Sequence, residues 1–384
     1  MNRMLGESIS LLRSNYLNYW SLLLLPAVFT VRIDLSESPT TTHLLLRFLG
    51  FGIALIPFAR VISHLVDHLS QHLGDRYSGV LSVGLGNLVE LVVSITALIK
   101  GLYALVVISV AGAVITNCLL MLGISTFVAS RQAQYVTLQS TSTDLQARQL
   151  MLSLLFLAVP TVVGLSGGVT PTDGSNRSDA FALYSLVVAV MILLYYLLSF
   201  VLQLGTHRKL FEENRLPDSM QSAGQIKRHQ AQTYGVGSIL IAMIIVSVAV
   251  VLISDPLVQT LQDLLMRTTL NELFVGLILL PLFGSIAEGV IAIGAAARGR
   301  VDLALTSTVE SSVQLMMFVL PVLVLLGWPL GRYLHLTVPL TALGCMGISV
   351  LAVHWITENN QLDWYEGVQL ITLYCLILLG TLLL

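Results

Sequence analysis

Residues 86–90 read Gly-Asn-Leu-Val-Glu, and residues 284–288 read Gly-Ser-Ile-Ala-Glu. Both stretches have the form Gly-(Asn/Ser)-x-x-Glu, and each lies inside a long apolar segment. The same offset of 198 residues aligns the Lys-Gly pair at 100–101 with the Arg-Gly pair at 298–299. A register that is kept between separate parts of two segments indicates an internal duplication of the chain.

The composition indicates an integral membrane protein. Only 10% of the 384 residues are charged, against about 25% in soluble domains, and 55% are hydrophobic. Eight runs of 18 or more residues carry no charge, and an apolar helix of about 20 residues crosses a bilayer. These runs are too long for the alternating strands of about 10 residues that build a transmembrane barrel. The net charge of −2 argues against a nucleic-acid partner.

We predict eleven transmembrane helices and an all-α integral membrane fold. Their approximate limits are 16–33, 44–66, 79–99, 102–130, 149–168, 180–204, 234–254, 271–297, 302–328, 333–357 and 365–384. They form one leading helix and two repeats of five helices. Because an odd number of helices separates the two motifs, the second repeat enters the membrane in the opposite direction, as in many secondary transporters.

The predicted division of the chain is an N-terminal segment with the first helix (1–40), a first repeat (41–206), a linker (207–233) and a second repeat (234–384). With the N-terminus inside, thirteen Lys and Arg residues fall on the cytoplasmic side and six on the opposite side. This positive-inside asymmetry places the N-terminus and the linker in the cytoplasm. The basic linker is expected near anionic lipid.

Glu90 and Glu288 each lie near the middle of a predicted helix. A charge there costs roughly 2.5 kcal/mol or more, so each carboxylate is expected to face protein, water or a bound cation. Both are predicted as metal ligands, and small or oxygen-bearing residues lie near them. The predicted cation- and proton-binding residues are Glu90, Glu288, Asn87, Ser285 and Glu310. The predicted site-lining residues are Ser94, Gly86, Gly284, Thr116, Asn117, Ser307, Ser311 and Gln314.

The predicted ligands are hard oxygen donors, which calcium, magnesium and manganese prefer over the nitrogen and sulfur that suit zinc or copper. Two facing carboxylates can hold a divalent cation when they are ionised. Without the cation they repel each other, which favours proton binding. Competition between a cation and protons is the basis of antiport. No cofactor is predicted, because the divalent cation and the protons are substrates.

These motifs resemble those of the calcium/cation antiporter superfamily, in its cation/proton exchanger branch. The first signature, Gly-Asn-x-x-Glu and then Gly-Ser-x-x-Ser-Asn, is similar to residues 86–90 and 112–117. The second, Gly-Asn-Ala-Ala-Glu-His and then Gly-Ser-Ala-Thr-Gln, is similar to residues 284–289 and 310–314. The resemblance implies alternating access around a midplane site in which two glutamates bind the cation and protons. It also implies export of calcium from the cytosol against proton entry.

Three departures from the motifs affect the expected site. Ser285 replaces an asparagine, Gly289 replaces a histidine and Glu310 replaces a glycine. Because of these departures, the transported cation could also be manganese or sodium. Glu310 can be interpreted as a third ligand, a proton relay or a residue that holds helices together.

The alternative functions are a cation channel that uses the same acids for selectivity, and sodium/proton exchange in the same fold. The sequence contains no His-Glu-x-x-His motif, which would have suggested a metal-dependent enzyme.

His64, His68 and His72 lie at helical spacing at the cytoplasmic end of the predicted helix 44–66. They fit either a solvated helix end or a regulatory metal or pH sensor.

Short loops and the lack of a recognisable targeting extension favour a prokaryotic inner (plasma) membrane, with a thylakoid or another internal membrane as the alternative. The oligomeric state is left open, and membrane lipid is the expected partner.

Overall fold

The computed structural model describes residues 41–73, 85–131, 135–138, 140–167, 176–201, 235–268 and 270–383. The helix predicted at 16–33 and the whole predicted linker at 207–233 lie outside these residues. The described helices are α1 (Thr41–Leu73), α2 (Leu88–Ile99), α3 (Tyr103–Ser130), α4 (Ser140–Ser166), α5 (Asn176–Val201), α6 (Val236–Arg267), α7 (272–296), α8 (Val301–Gly327), α9 (Leu340–Thr357) and α10 (Trp364–Leu383). Strands β1 (Val136–Thr137) and β2 (Gln361–Leu362) pair antiparallel.

The described helices confirm a membrane-spanning, all-α fold. Eight of them contain segments long and apolar enough to cross a membrane, and α7 makes a ninth if its two bent parts form one span. α2 is a shorter apolar helix of 12 residues. The number eleven stays a prediction, because the helix predicted at 16–33 and the first part of the helix predicted at 79–99 lie outside the described residues.

The helix predicted at 333–357 was wrong at its N-terminal end. It begins at Leu340, and the preceding residues 332–339 are not helical although many of their side chains are buried. Pro339 immediately precedes the helix. Because a proline pushes the residue before it into an extended conformation, the helix cannot start earlier without strain.

Hydroxyl groups from distant helices stabilise this buried extended segment. The backbone N–H of Leu336 donates to Ser185 Oγ on α5, and the backbone N–H of Val338 donates to Thr161 Oγ1 on α4, both at 3.1 Å. Backbone groups at membrane depth need partners within the protein. The two side-chain oxygens therefore replace the helical partners that the extended backbone lacks.

Two helix ends have the same local structure at positions that the sequence offset aligns. Gly101 and Gly299 have positive φ angles of 78° and 74°, in the left-handed region that favours glycine. At each end the following amide, of Leu102 or Arg300, donates to the carbonyl five residues earlier at 3.0 Å. Both ends are therefore Schellman-type caps, as expected if the two segments are copies of one ancestral segment.

Short π-helical segments interrupt three of the described helices. α3 contains Thr116–Met121, α7 contains Val275–Leu279 and α8 contains Leu315–Val319. The 198-residue offset aligns the first with the third, apart from one residue at the start. A π segment displaces carbonyls from the regular hydrogen-bond ladder and often occurs at functional sites. Asn117 lies inside the first segment and Gln314 directly precedes the third.

The described residues belong to two compact units. Those within Met1–Val93 and Leu197–Met266 form the first, and those within Ser94–Tyr196 and Arg267–Leu384 form the second. In the second unit, α3 packs against α7, α8 and α10, while α4 packs against α8 and α9. The repeat limits 41–206 and 234–384 stay predictions. The two units are defined by spatial contacts, whereas the repeats are defined by similarity within the sequence.

Glycines allow α3 and α7 to approach closely within the second unit. A Cβ atom on Gly112 of α3 would lie 2.3 Å from the Leu277 carbonyl oxygen of α7. A Cβ atom on Gly276 would lie 2.7 Å from Ile108 Cγ2. Real Cβ atoms do not approach other atoms this closely, so the contact between these helices requires glycine at both positions.

Candidate functional site

The carboxylate of Glu288 lies at the centre of a hydrogen-bonded group in the second unit. Asn117 Nδ2 on α3 donates to Glu288 Oε2 at 3.1 Å, and Ser311 Oγ on α8 donates to the same oxygen. Asn117 Nδ2 also donates to Ser311 Oγ at 3.1 Å. The structure thus brings together three predicted site residues from three helices, which we call the Glu288 cluster.

Two buried oxygen atoms in and near the Glu288 cluster have no hydrogen-bond partner among the residues that the structure describes. Asn117 is fully buried, and Ser285, one turn before Glu288 on α7, is 1% exposed. Asn117 Oδ1 and Ser285 Oγ accept no hydrogen bond from any residue that the structure describes. A buried unsatisfied polar atom costs about 1–3 kcal/mol, and an oxygen-coordinated cation would remove that cost. The residues present therefore fit a hard cation.

Local irregularities of the helix backbone position the Glu288 cluster. The axis of α7 bends by 63° between Ile286 and Glu288. Gly284 and Gly289 flank the bend, and a π segment precedes it on the same helix. Sharp helix bends usually occur at glycine, proline or π segments. The small residues that the sequence places next to Glu288 therefore account for the change of direction at the carboxylate.

Gly289, at the position of the histidine in the family motif, packs directly against Met121. A Cβ atom on Gly289 would lie 2.1 Å from Met121 Sδ of α3. Met121 is 4% exposed and occupies the space that a larger side chain would need. The sequence analysis did not identify Met121, because one apolar residue within an apolar helix carries no distinguishing pattern.

Glu310 has contacts different from those of its neighbour Ser311. Glu310 Oε1 accepts a hydrogen bond from Gln314 Nε2 at 3.4 Å. Consecutive residues on a helix point about 100° apart, and Ser311 is the one that reaches Glu288. Glu310 and Ser311, both predicted site residues, therefore make two separate sets of contacts.

The remaining predicted site residues differ in burial. Asn87, a turn residue directly before α2, is 2% exposed, and Ser94 on α2 is 5% exposed. Glu90 on α2 is half-buried and belongs to the first unit. Thr116, Ser311 and Gln314 are buried, whereas Gly86, Gly284 and Ser307 are half-buried. Their joint role as a binding site stays a prediction.

The histidines at the end of α1 interact locally. His72 Nδ1 hydrogen-bonds to the backbone oxygen of His68 at 3.0 Å. Burial, and then the neighbouring His72, lower the pKa of His68. Across the described ranges, no group of three or more His, Cys, Asp or Glu side chains is placed to hold a metal ion. The structure therefore gives the metal alternative for these histidines no support.

Buried polar side chains and an acid within membrane helices are typical of proteins that move ions. The chain belongs to the sodium/calcium exchanger protein family, whose model matches residues 43–205 and 238–383. The match covers most of both predicted repeats.

Relatives and a solved structure agree with this membership. The chain is 30% identical over 328 residues to the vacuolar calcium ion transporter of Schizosaccharomyces pombe, covering 85% of this chain and 77% of that protein. It is 27% identical over 334 residues to the Ca²⁺/H⁺ antiporter of Aphanothece halophytica, covering 86% and 88%. The crystal structure of the selenium-substituted Ca²⁺/H⁺ antiporter protein YfkE matches with a TM-score of 0.73 and 25% identity, over 96% of this chain and 100% of that chain.

These matches confirm the predicted resemblance to the calcium/cation antiporter superfamily, in its cation/proton exchanger branch. The relatives are transporters rather than enzymes.

Proposed function

We propose that the protein is a proton-coupled cation antiporter that exports calcium, or a related cation such as manganese, from the cytosol in exchange for protons. The observation that carries this proposal is the Glu288 cluster. An ionisable carboxylate there accepts hydrogen bonds from two other helices and lies near two buried oxygens that accept no hydrogen bond within the described part of the chain. The names of the relatives, a calcium ion transporter and a Ca²⁺/H⁺ antiporter, support the choice of ions.

Competition at one carboxylate would couple the two ions. Ionised Glu288 attracts a cation, and Asn117 Oδ1 and Ser285 Oγ can add neutral oxygen ligands of the kind that calcium takes. A proton on Glu288 removes its charge and turns one of its oxygens into a donor, so the cation is released. An equivalent role for Glu90 is part of the proposal and rests on the duplicated motif.

The proposal includes alternating access and a defined orientation. Inverted repeats allow a transporter to expose its site to one side of the membrane at a time. The excess of Lys and Arg on one side supports a cytoplasmic N-terminus and a cytoplasmic linker at 207–233.

Purified protein in liposomes with a preset pH gradient tests the exchange. Calcium added outside should enter and release protons, which is measured with a pH-sensitive dye and ⁴⁵Ca²⁺ uptake. Manganese, magnesium, sodium and potassium should be tested in parallel to define selectivity. Calcium uptake that does not respond to the pH gradient would instead indicate a channel, and the absence of flux with every cation would contradict the proposal.

Ser311→Ala should weaken apparent calcium affinity by about tenfold, because a hydrogen bond to a charged group contributes about 1.5 kcal/mol. The variant removes the hydroxyl that donates to Glu288. Ser312→Ala is the matched control, since the Ser312 hydroxyl is also buried but donates to the Thr308 carbonyl at 2.8 Å. Calcium titration of ⁴⁵Ca²⁺ uptake compares the two variants. Equal affinities would show that Ser311 does not support the site.

A further inference from the structure

Tyr374 on α10 is a buried polar side chain outside the Glu288 cluster. It is 4% exposed, and its hydroxyl group makes no hydrogen bond with any residue that the structure describes. The hydroxyl of Thr116, at the start of the π segment of α3, is fully buried and has the same property. Buried polar groups in native proteins nearly always have a partner, so two such hydroxyl groups require an explanation.

α3 and α10 pack against each other through a close contact of glycines. A Cβ atom on Gly123 of α3 would lie 3.0 Å from the Gly367 carbonyl oxygen and 2.9 Å from Ile371 Cγ1 of α10. A Cβ atom on Gly367 would lie 2.7 Å from the Phe127 backbone nitrogen. The later residue of α3 thus meets the earlier residue of α10, so the two helices run antiparallel.

Thr116 and Tyr374 lie two helical turns away from this glycine contact, in the same direction. Thr116 is seven residues before Gly123, and Tyr374 is seven residues after Gly367. Seven residues are about two turns and return to the same side of a helix. α10 also packs against the π segment that begins at Thr116, and the Thr116 side chain neighbours the Tyr374 phenol. The two hydroxyl groups therefore face each other without a direct hydrogen bond.

Water is the ligand that fits this pair of neutral hydroxyl groups. Polar groups that face each other without a direct bond are commonly bridged by a water molecule. A buried water makes about three hydrogen bonds to otherwise unsatisfied groups, and a hydroxyl group can donate or accept one. A divalent cation would need about six or more oxygen ligands. Two uncharged hydroxyl groups therefore suit a water molecule and not a second cation.

We propose that Thr116 and Tyr374 bind a buried water molecule, and that this bridge makes Tyr374 a positioning residue for Asn117. Asn117 directly follows Thr116 in the π segment, and its amide donates to Glu288 at 3.1 Å. A water between α3 and α10 fixes the start of this segment and thereby the orientation of the amide. The positioning role rests on the proposed function, whereas the water site does not.

A double-mutant cycle of Tyr374→Phe and Thr116→Val tests the water site, with the melting temperature in detergent as the measurement. Each single variant loses a hydrogen bond to the water and should melt about 2 °C lower than the wild type. The double variant should melt no lower than the single variants, because all three lose the same water molecule.

Thr381→Val is the matched control for this cycle. Thr381 lies on the same buried face of α10 as Tyr374, but its hydroxyl donates to the Ile377 carbonyl at 2.9 Å. Because the two hydroxyl groups have different partners, the effects of Thr381→Val and Tyr374→Phe on the melting temperature should add.

Calcium titration of ⁴⁵Ca²⁺ uptake tests the positioning role. Tyr374→Phe should raise the half-saturating calcium concentration about threefold, because the Asn117 amide is held less firmly. The maximal rate should be retained, since the Glu288 carboxylate is intact. Thr116→Ser, which keeps the hydroxyl group, and Thr381→Val should retain the wild-type affinity.

Three results would overturn the proposal. Single variants that melt at or above the wild-type temperature would show that the hydroxyl groups bind nothing, since removing an unsatisfied buried group is not destabilising. Effects that add in the double variant would show separate partners. Unchanged calcium affinity in Tyr374→Phe would remove its positioning role. Failure of the proposed function is distinguishable, because the unmodified protein would then show no calcium-driven proton flux.

Discussion

Glu288→Gln is expected to abolish cation-driven proton flux, with a loss of at least about a hundredfold. The amide keeps the size of the side chain but can neither carry the negative charge nor bind the exchanged proton. Removing one charged partner from a buried site typically costs about 3–5 kcal/mol. The donors Asn117 and Ser311 would then meet a neutral group. Flux in proteoliposomes measures the effect, and size-exclusion chromatography checks that the variant is folded.

Glu366→Gln is the matched control for this experiment. Glu366 lies in the first turn of α10, where its carboxylate accepts the backbone N–H of Asp363 at 3.0 Å. Glutamine can make the same capping contact, so transport should remain normal. The duplicated motif predicts that Glu90→Gln behaves like Glu288→Gln. Transport close to the wild-type rate in Glu288→Gln would contradict the central role of this carboxylate.

Gly112→Ala is expected to destabilise the protein strongly. The new methyl group would lie 2.3 Å from the carbonyl oxygen of Leu277 and 2.6 Å from its Cα atom. Because these are backbone atoms, α3 and α7 must move apart, and overpacking of this kind costs about 1–3 kcal/mol or more. The apparent melting temperature in detergent, followed by chromatography of the heated protein, measures the loss. Transport should also fall, since α3 carries Asn117.

Gly344→Ala makes the same chemical change as Gly112→Ala but is not expected to destabilise the protein. Gly344 lies on α9, and a Cβ atom added there would have no heavy atom within 4 Å. Alanine in the middle of a helix is favoured over glycine by about 0.5–1 kcal/mol, so this variant should be as stable as the wild type or slightly more stable. Equal melting temperatures for the two variants would show that the contact between α3 and α7 does not limit stability.

Hydropathy predicted the positions of most described helices because bilayer thickness sets the length of an apolar run. The prediction 302–328 compares with Val301–Gly327 in the structure. Hydropathy wrongly predicted a helix at residues 333–339, because an apolar composition indicates that a segment is buried but not which backbone conformation it adopts. The partners of this segment, Ser185 and Thr161, are more than a hundred residues away in sequence. No local pattern could reveal those hydrogen bonds.

The sequence motifs predicted the residues of the Glu288 cluster but not their contacts. Asn117, Glu288 and Ser311 were each predicted from a motif, whereas their meeting at one carboxylate oxygen depends on how three helices pack. Met121 and Tyr374 escaped prediction because apolar and aromatic residues are common in membrane helices. Glu310 and Ser311 have different surroundings because consecutive residues on a helix point about 100° apart. The spacing of the motif does not show which of the two faces Glu288.

The two copies of the ancestral segment are not interchangeable, although their helix caps at Gly101 and Gly299 match. A protein in which α8 carried the sequence of α3 would have glycine in place of Glu310. The reverse construction, with α8 sequence in both halves, would force a glutamate against the backbone of Leu277. Close packing against Leu277 therefore restricts position 112 to glycine, whereas the aligned position 310 accommodates a glutamate.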